Sequence, residues 1–259
     1  MNPPGPLRPP RLGAFHVTLV VALLAVIFSL PALRGSGRDL DHLGNLLGFL
    51  ERFVPPDFSN WRELGVALLE TFQIAVMATL FATLAAVPVA IAASGNLAPR
   101  PVVRFARFLL VCIRSIPSLV WALLAVAIFG ANPLAGVVGL ACYSLGYLGK
   151  FFSDAFESTD SEVAEGLRAV GADVVQRFQF GIWPHAKPLL WSQALWMLEY
   201  NIRSAAIIGY VGAGGIGVWL QTYQELAQWD RFCAVLCCIL VLVLVLDYAG
   251  ECLRRQFAR

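Results

Sequence analysis

An all-α integral membrane protein of about six transmembrane helices is the fold class this sequence predicts, on three observations. Of 259 residues, 58% are hydrophobic and 14% charged, where a soluble domain carries about 25% charged residues. The charges gather between apolar runs long enough to cross a bilayer, which takes roughly 20 residues as helix. One long polar island, Ser153 to Pro184, interrupts those runs and carries helix signals of its own. A soluble α/β domain would need strands of about 4–8 residues punctuated by Gly and Pro, and none are seen. The net charge is +2, and no basic run suggests nucleic acid.

In chain order, residues 1–12 are a Pro-rich tail with Arg8 and Arg11, followed by a first apolar run from Ala14 to Leu33. A basic segment precedes that run, as in a signal peptide. Ser29-Leu30-Pro31-Ala32-Leu33 lacks a small-x-small cleavage site, so an uncleaved span is the reading. Arg34 to Arg62 is a polar connector rich in Gly, Pro and Asp. A second span covers about Phe72 to Ala93, with Pro88 as a kink, and a loop with Arg100 and Arg104 follows. The third, about Phe105 to Phe129, is interrupted by Arg114-Ser115-Ile116-Pro117, and the fourth runs from about Leu134 to Phe152. Beyond the island, the fifth covers about Pro188 to Val211 and the sixth about Phe232 to Cys252. This gives a tail to residue 13, one transmembrane domain over 14–252 with the loop 153–184 inside it, and a tail over 253–259. The excess of Lys and Arg in the tails, the Ser94–Arg104 loop and the island places both termini and the island in the cytoplasm.

The island reads as a helix–turn–helix. Thr159 and Glu162 have capping-box spacing, and Val163, Leu167 and Val170 form an apolar stripe at i, i+4 and i+7. Gly171 stands where a left-handed C-terminus favours a residue without Cβ. Val174, Val175 and Phe178 give the second helix its apolar contacts. Such a unit has nothing of its own to bury against and is built to dock on another protein.

Arg114, Glu199, Asn201 and Arg203 lie inside spans, with Asp247 nearer the cytoplasmic end of the last. An ionised side chain at mid-bilayer costs at least about 2.5–3.5 kcal/mol on insertion scales, so each needs a partner or a wet cavity. Glu199 and Arg203 are i, i+4 with the acid first, a favourable pairing order. Two readings stand together: Arg114, Glu199 and Arg203 as a structural ion network, and a surplus positive charge beside an anion path.

Gly212-Ala213-Gly214-Gly215-Ile216-Gly217 matches the dinucleotide fingerprint in letters but follows a membrane span instead of a short strand. Its glycines are better used in a tight re-entrant bend or gate. Gly149-Lys150 is followed by Phe151, so no phosphate-binding loop is present. Cys233-x-x-x-Cys237-Cys238 has no His or carboxylate partner and reads as packing, not as a metal site.

The island resembles the cytoplasmic loop of ABC importer permeases, with Glu165, Gly171 and Pro184 at the spacings of that loop's E-A-A motif. Gly166 and Leu167 replace its two alanines, and Gly181 and Trp183 replace its Ile and Leu. Glu70-Thr71, Arg114-Ser-Ile-Pro117-Ser-Leu-Val-Trp121 and Glu199-Tyr-Asn-Ile-Arg-Ser-Ala205 running on to Gly217 resemble the phosphonate branch, so the likeness covers most of residues 50–250. It implies the type I importer permease (MetI-like) fold with a cytoplasmic coupling loop, in the bacterial inner membrane. It implies an ATPase-docking loop with Glu162, Glu165, Leu167, Arg168, Gly171, Ala172 and Pro184, and a path or ion network with Arg114, Pro117, Glu199, Asn201 and Arg203. Gly212, Gly214, Gly215 and Gly217 would form the gate. The implied partners are a second copy, a cytoplasmic ATPase dimer that holds ATP and Mg, a periplasmic phosphonate-type binding protein, and membrane lipid. This chain would bind no cofactor and catalyse no reaction. The implied cargo is a phosphonate or a related oxyanion such as phosphite; another small solute such as an amino acid, or a secondary transporter, are the competing readings.

Overall fold

The computed structural model describes residues 13–33, 41–159, 163, 166, 167 and 169–257. The described elements are helical. They are α1 (Ala14–Ser29) with a short 3-10 turn (Leu30–Leu33), α2 (His42–Phe53), α3 (Trp61–Ala93), α4 (Arg100–Ser115), α5 (Ser118–Phe129) and α6 (Pro133–Glu157). Then α7 (Val174–Arg177) runs through a π-helical turn (Phe178–Ile182) into α8 (Trp183–Gly209), and α9 (Gly217–Glu225) and α10 (Trp229–Phe257) complete the series. The chain divides into two compact units, Met1–Leu50 and Glu51–Arg259.

Among the described residues, four helices are long and apolar enough to cross a membrane: Phe15–Ala32, α3, α6 and Trp229–Leu253; α4 with α5 makes a fifth if the bent pair is one span. With its 27 residues α8 is long enough, but Glu199, Asn201 and Arg203 make it more polar than those four. The helix that holds the second span is longer than the span itself: α3 begins at Trp61 and continues as one helix through Pro88. The connector differs from expectation. Within it α2 forms a helix, because Leu43, Leu46, Leu47 and Leu50 fall at i, i+3, i+4 and i+7 among polar residues.

The interrupted third span is a corner. Proline bars the α region for the residue before it, and Ile116 is accordingly extended (φ −93°, ψ 121°). Pro117 stands at the N-cap of α5, and the two helices meet at 87°. Trp121 Nε1 donates to the Ile113 carbonyl (3.2 Å) and staples the corner.

The core is built on alanine. Ala75, Ala78, Ala82, Ala86, Ala90 and Ala93 line one face of α3, each at most 1% exposed. Between helices in lipid there is little hydrophobic driving force, so small residues that admit close backbone approach supply the packing. Leu148, Phe152 and Phe156 of α6 and Met197 of α8 fill the space against that face. Outward residues such as Leu240, Val241, Leu244 and Val245 on α10 are well over half exposed, as a lipid-facing surface requires.

The segment before α3 is tied to α10. Arg231 Nε donates to Asp57 Oδ2 (3.1 Å), and the Asp57 amide donates to the Asp230 carbonyl (3.1 Å). The Ser59 hydroxyl and amide, then Arg231, hold the Asp57 carboxyl below its ordinary value. The tie is therefore fully charged at neutral pH and is lost only as pH falls through that lowered value.

Candidate translocation path and docking face

Arg114 is the last-turn cation of α4, half-buried at the corner. Its guanidinium carbon lies 5.8 Å from the Tyr147 ring centre, within cation–π range. Gly146 allows that approach, since a Cβ there would stand 2.8 Å from Arg114 Cγ. Tyr147 belongs to an aromatic row that spacing alone did not flag. Tyr143, Tyr147 and Phe151 follow one face of α6 at i, i+4 and i+8, and Trp196 and Tyr200 are i, i+4 on α8. Tyr143 stacks on Tyr200 (5.3 Å), Trp196 on Tyr200 (6.1 Å), and Phe151 meets Trp196 edge-on (5.9 Å). The Tyr200 hydroxyl donates to that of Tyr143 (3.0 Å).

Asn201, grouped above with the path or ion network, is fully buried in an uncharged one. Its Nδ2 donates to Thr79 Oγ1 (2.9 Å) and its Oδ1 accepts from the Ser144 hydroxyl (2.9 Å). Thr79 in turn donates to the Ala75 carbonyl (2.7 Å). One amide thus ties α3, α6 and α8 together, and a buried polar group satisfied this way rigidifies the packing. Arg203 reaches the last helix: Nη1 lies 3.0 Å from Asp247 Oδ1, with both side chains almost half exposed on the single chain. Glu199 lies against α10 at Gly250. The i, i+4 rule misses the Asp247 contact because that contact is made by packing between α8 and α10.

The glycine run forms the buried turn between α8 and α9. Gly212, Gly214 and Gly215 have φ of 88°, 82° and 72°. Thr71, buried on α3, accepts from the Ile216 amide (2.8 Å) while donating to the Ala67 carbonyl (2.8 Å). Beside this turn a cavity of about 370 Å³ is lined by Arg62, Glu63, Val66, Ala67, Glu70 and Trp219.

At the other ends of the helices, α6 extends into the first residues of the island. Glu157 takes hydrogen bonds from the Gly95 amide (2.5 Å) and from Arg107 (2.5 Å), and Arg107 Nε donates to the Ala93 carbonyl (2.9 Å). Asp154 pairs with Lys150 one turn earlier. Glu162, Glu165 and Arg168 lie outside the described residues, and with them the Thr159–Glu162 capping box. Leu167 is half-buried, and Gly171 has φ 87°. The Ala172 amide donates to the Leu167 carbonyl (3.0 Å), which closes the turn at Gly171. Asp173 and Gln176 form a reciprocal capping box at α7. Of the three apolar contacts expected for that helix, Phe178 packs on Phe156 and Trp183, whereas Val174 and Val175 are exposed, as are Val170 and Phe180. Pro184 lies in the first turn of α8, directly after the π-helical turn. The preceding turn widens so that Trp183 N–H bonds to the Phe178 carbonyl.

Residues 65–259 match the family described as the binding-protein-dependent transport system inner membrane component. The phosphite transport system permease protein PtxC of Stutzerimonas stutzeri is 34% identical over 95% of this chain and 90% of its own length. The phosphate-import permease protein PhnE of Mycolicibacterium smegmatis is 33% identical over 83% of this chain and 41% of its own length. Among solved structures, an inward-facing MetNI methionine ABC transporter chain superposes with a TM-score of 0.66 at 22% identity, over 76% of this chain and 96% of that one. That last likeness carries the fold alone. With a family match over most of its length and a multi-span helical fold, the chain belongs to the binding-protein-dependent transport inner-membrane component family and is the non-catalytic, multi-pass permease subunit of an ABC importer.

Proposed function

We propose that this permease carries a phosphonate or a related phosphorus oxyanion such as phosphite. It works as two copies of itself, a cytoplasmic ATPase dimer that holds the ATP and Mg, and a periplasmic binding protein of the phosphonate type. The observation that carries the cargo is Arg114: a half-buried cation at the corner of two membrane helices that has no ion pair among the described residues. An anion in transit is a natural partner for such a charge. The names of the relatives, for phosphite and phosphate, support the same class. The amino-acid reading has in its favour only the fold of the methionine transporter and of an amino acid ABC transporter with histidines. Family membership sets aside a secondary transporter.

The test is uptake of labelled phosphite and methylphosphonate into proteoliposomes holding the whole importer. Uptake of at least one is expected. Arg114→Gln should lower it about tenfold, equivalent to about 1.4 kcal/mol, with the chain present at normal level. If the parent importer takes up neither anion, the cargo assignment is wrong.

In this reading both termini and the loop 153–184 face the cytoplasm, where exposed Val170, Val174, Val175 and Phe180 meet the ATPase. Gly171, Ala172 and Pro184 shape that docking unit, and Glu162, Glu165, Leu167 and Arg168 contribute to it. A reporter active only in the periplasm should be active when fused after Asn60 or Gln224 and silent after Glu165 or Arg259. Activity after Glu165 would remove the loop from the ATPase side and end the docking assignment.

A further inference from the structure

We infer that the hydroxyls of Tyr143, Tyr147 and Tyr200, with the Arg114 guanidinium, form one wall of a water-filled, anion-selective constriction along the shared face of α6 and α8. The inference rests on the importer reading above and gives its path a place. Three observations carry it.

The first is the supply of donors. Among the described residues the one hydrogen bond of Arg114 is a long one, Nε to the Leu110 carbonyl at 3.4 Å. A guanidinium has five N–H donors, so most are left for something outside the chain. The phenols add to them. The Tyr200 hydroxyl donates to that of Tyr143, so the three phenols keep at least one O–H to donate outward.

The second is the fate of the nearby acids. Asp154 is taken by Lys150 and Asp247 by Arg203, while Glu199 lies against Gly250 of α10. The furrow therefore presents hydrogen donors and the Arg114 cation, the complement of a tetrahedral phosphorus oxyanion with its three acceptor oxygens.

The third is the partial exposure of the aromatic row. Tyr143, Tyr147, Phe151 and Tyr200 are each half-buried, and Trp196 is 41% exposed. A row of phenols facing lipid would strand the O–H that has no phenol partner, which costs free energy in hydrocarbon. Rigid rings on two facing helices instead make a fixed narrow wall. The stacking partners hold the hydroxyls in position, so little ordering is required as an anion passes.

The experiment is thiol labelling of Tyr200→Cys in membrane vesicles holding the complete importer. An anionic methanethiosulfonate (sulfonatoethyl) is compared with a cationic one (trimethylammonioethyl), and the parent chain gives the background of the native cysteines. The anionic-to-cationic rate ratio is expected to exceed that of free cysteine about tenfold, the lower range for a charged cleft acting on an opposite ion. Adding Arg114→Gln should bring the ratio most of the way back to the free-thiol value. Saturating inorganic phosphite should slow the anionic reagent.

Labelling no faster than background would mean that the cluster faces lipid or a dry interface with a second copy, and would overturn the inference. So would equal reactivity with both reagents. If Tyr200→Cys does not assemble, Tyr147→Cys is read in the same way. Phosphite uptake by the parent importer is scored separately. A parent that transports neither phosphorus anion defeats the cargo assignment but leaves the charge preference standing, whereas a transporting parent without the preference defeats this inference alone.

Discussion

Gly217→Val is expected to leave almost none of this permease assembled in the membrane. A Cβ at Gly217 would stand 2.7 Å from both Cα and C of Gly209 and would meet the Ala206 carbonyl oxygen more closely still. Each of these is backbone, so no side chain can rotate away. Seen from the other helix, a Cβ on Gly209 would lie 2.8 Å from Gly217 Cα and 2.9 Å from its nitrogen. Overpacking a core costs about 1–3 kcal/mol when neighbours can adjust, and here the start of α9 would have to leave α8. The Thr71 contact to the Ile216 amide would go with it, leaving a buried N–H without its acceptor at about 1–3 kcal/mol more. The measurement is the amount of monodisperse, detergent-extracted chain relative to the parent. Gly65→Val is the control, because nothing lies within 4 Å of a Cβ at Gly65, and it should accumulate near the parent level. Equal levels for Gly217→Val would show that the α8–α9 contact is dispensable.

The second large effect is expected at the ion pair between α8 and α10. Arg203→Gln leaves the Asp247 carboxylate without its guanidinium inside a membrane-length helix. A stranded charge costs about 2.5–3.5 kcal/mol at the centre of a membrane helix, an upper bound for Asp247 nearer the end of its span, and so lowers the ratio of folded to unfolded chain by up to roughly a hundredfold. The double change Arg203→Gln with Asp247→Asn removes both charges and should recover most of the lost protein. The i, i+4 spacing points instead to Glu199 as the partner of Arg203, and the same assay separates the two. If Glu199→Gln rescues Arg203→Gln and Asp247→Asn does not, the pairing with Asp247 is not the one that stabilises the chain.

What the sequence revealed and what it hid follow from how far each cause reaches along the chain. The spans were legible because apolar length is a local property, and the island because its charges stand apart from the apolar runs. Pro117 announced a break, but the 87° corner depends on how α4 and α5 pack on α6 and could not be read from one dipeptide. The helical connector segment α2 was obscured by the Gly, Pro and Asp around its four leucines. Asn201 was flagged as polar at depth, yet its partners Thr79 and Ser144 are 122 and 57 residues away. The same distance separates Tyr200 from Tyr143. Their helical spacing, Tyr143-Tyr147-Phe151 and Trp196-Tyr200, was the one signal available, and such stripes more often mark ordinary core.

The length of α3 fixes the depth of the glycine turn. A helix of 33 residues is about 50 Å long at 1.5 Å per residue, against a hydrocarbon layer of about 30 Å. The Ala93 end is followed at once by the Ser94 turn and the arginines of α4, so the surplus falls at the Trp61 end. Counting back roughly 20 residues from Ala93 uses up the hydrocarbon thickness by about Gln73. Thr71, and the Ile216 amide bonded to it, therefore stand at the edge of the hydrocarbon on the Trp61 side, level with the headgroups. The glycine turn packed on Thr71 thus sits near one face of the membrane, and most of the bilayer's thickness lies on the Ala93 side of it.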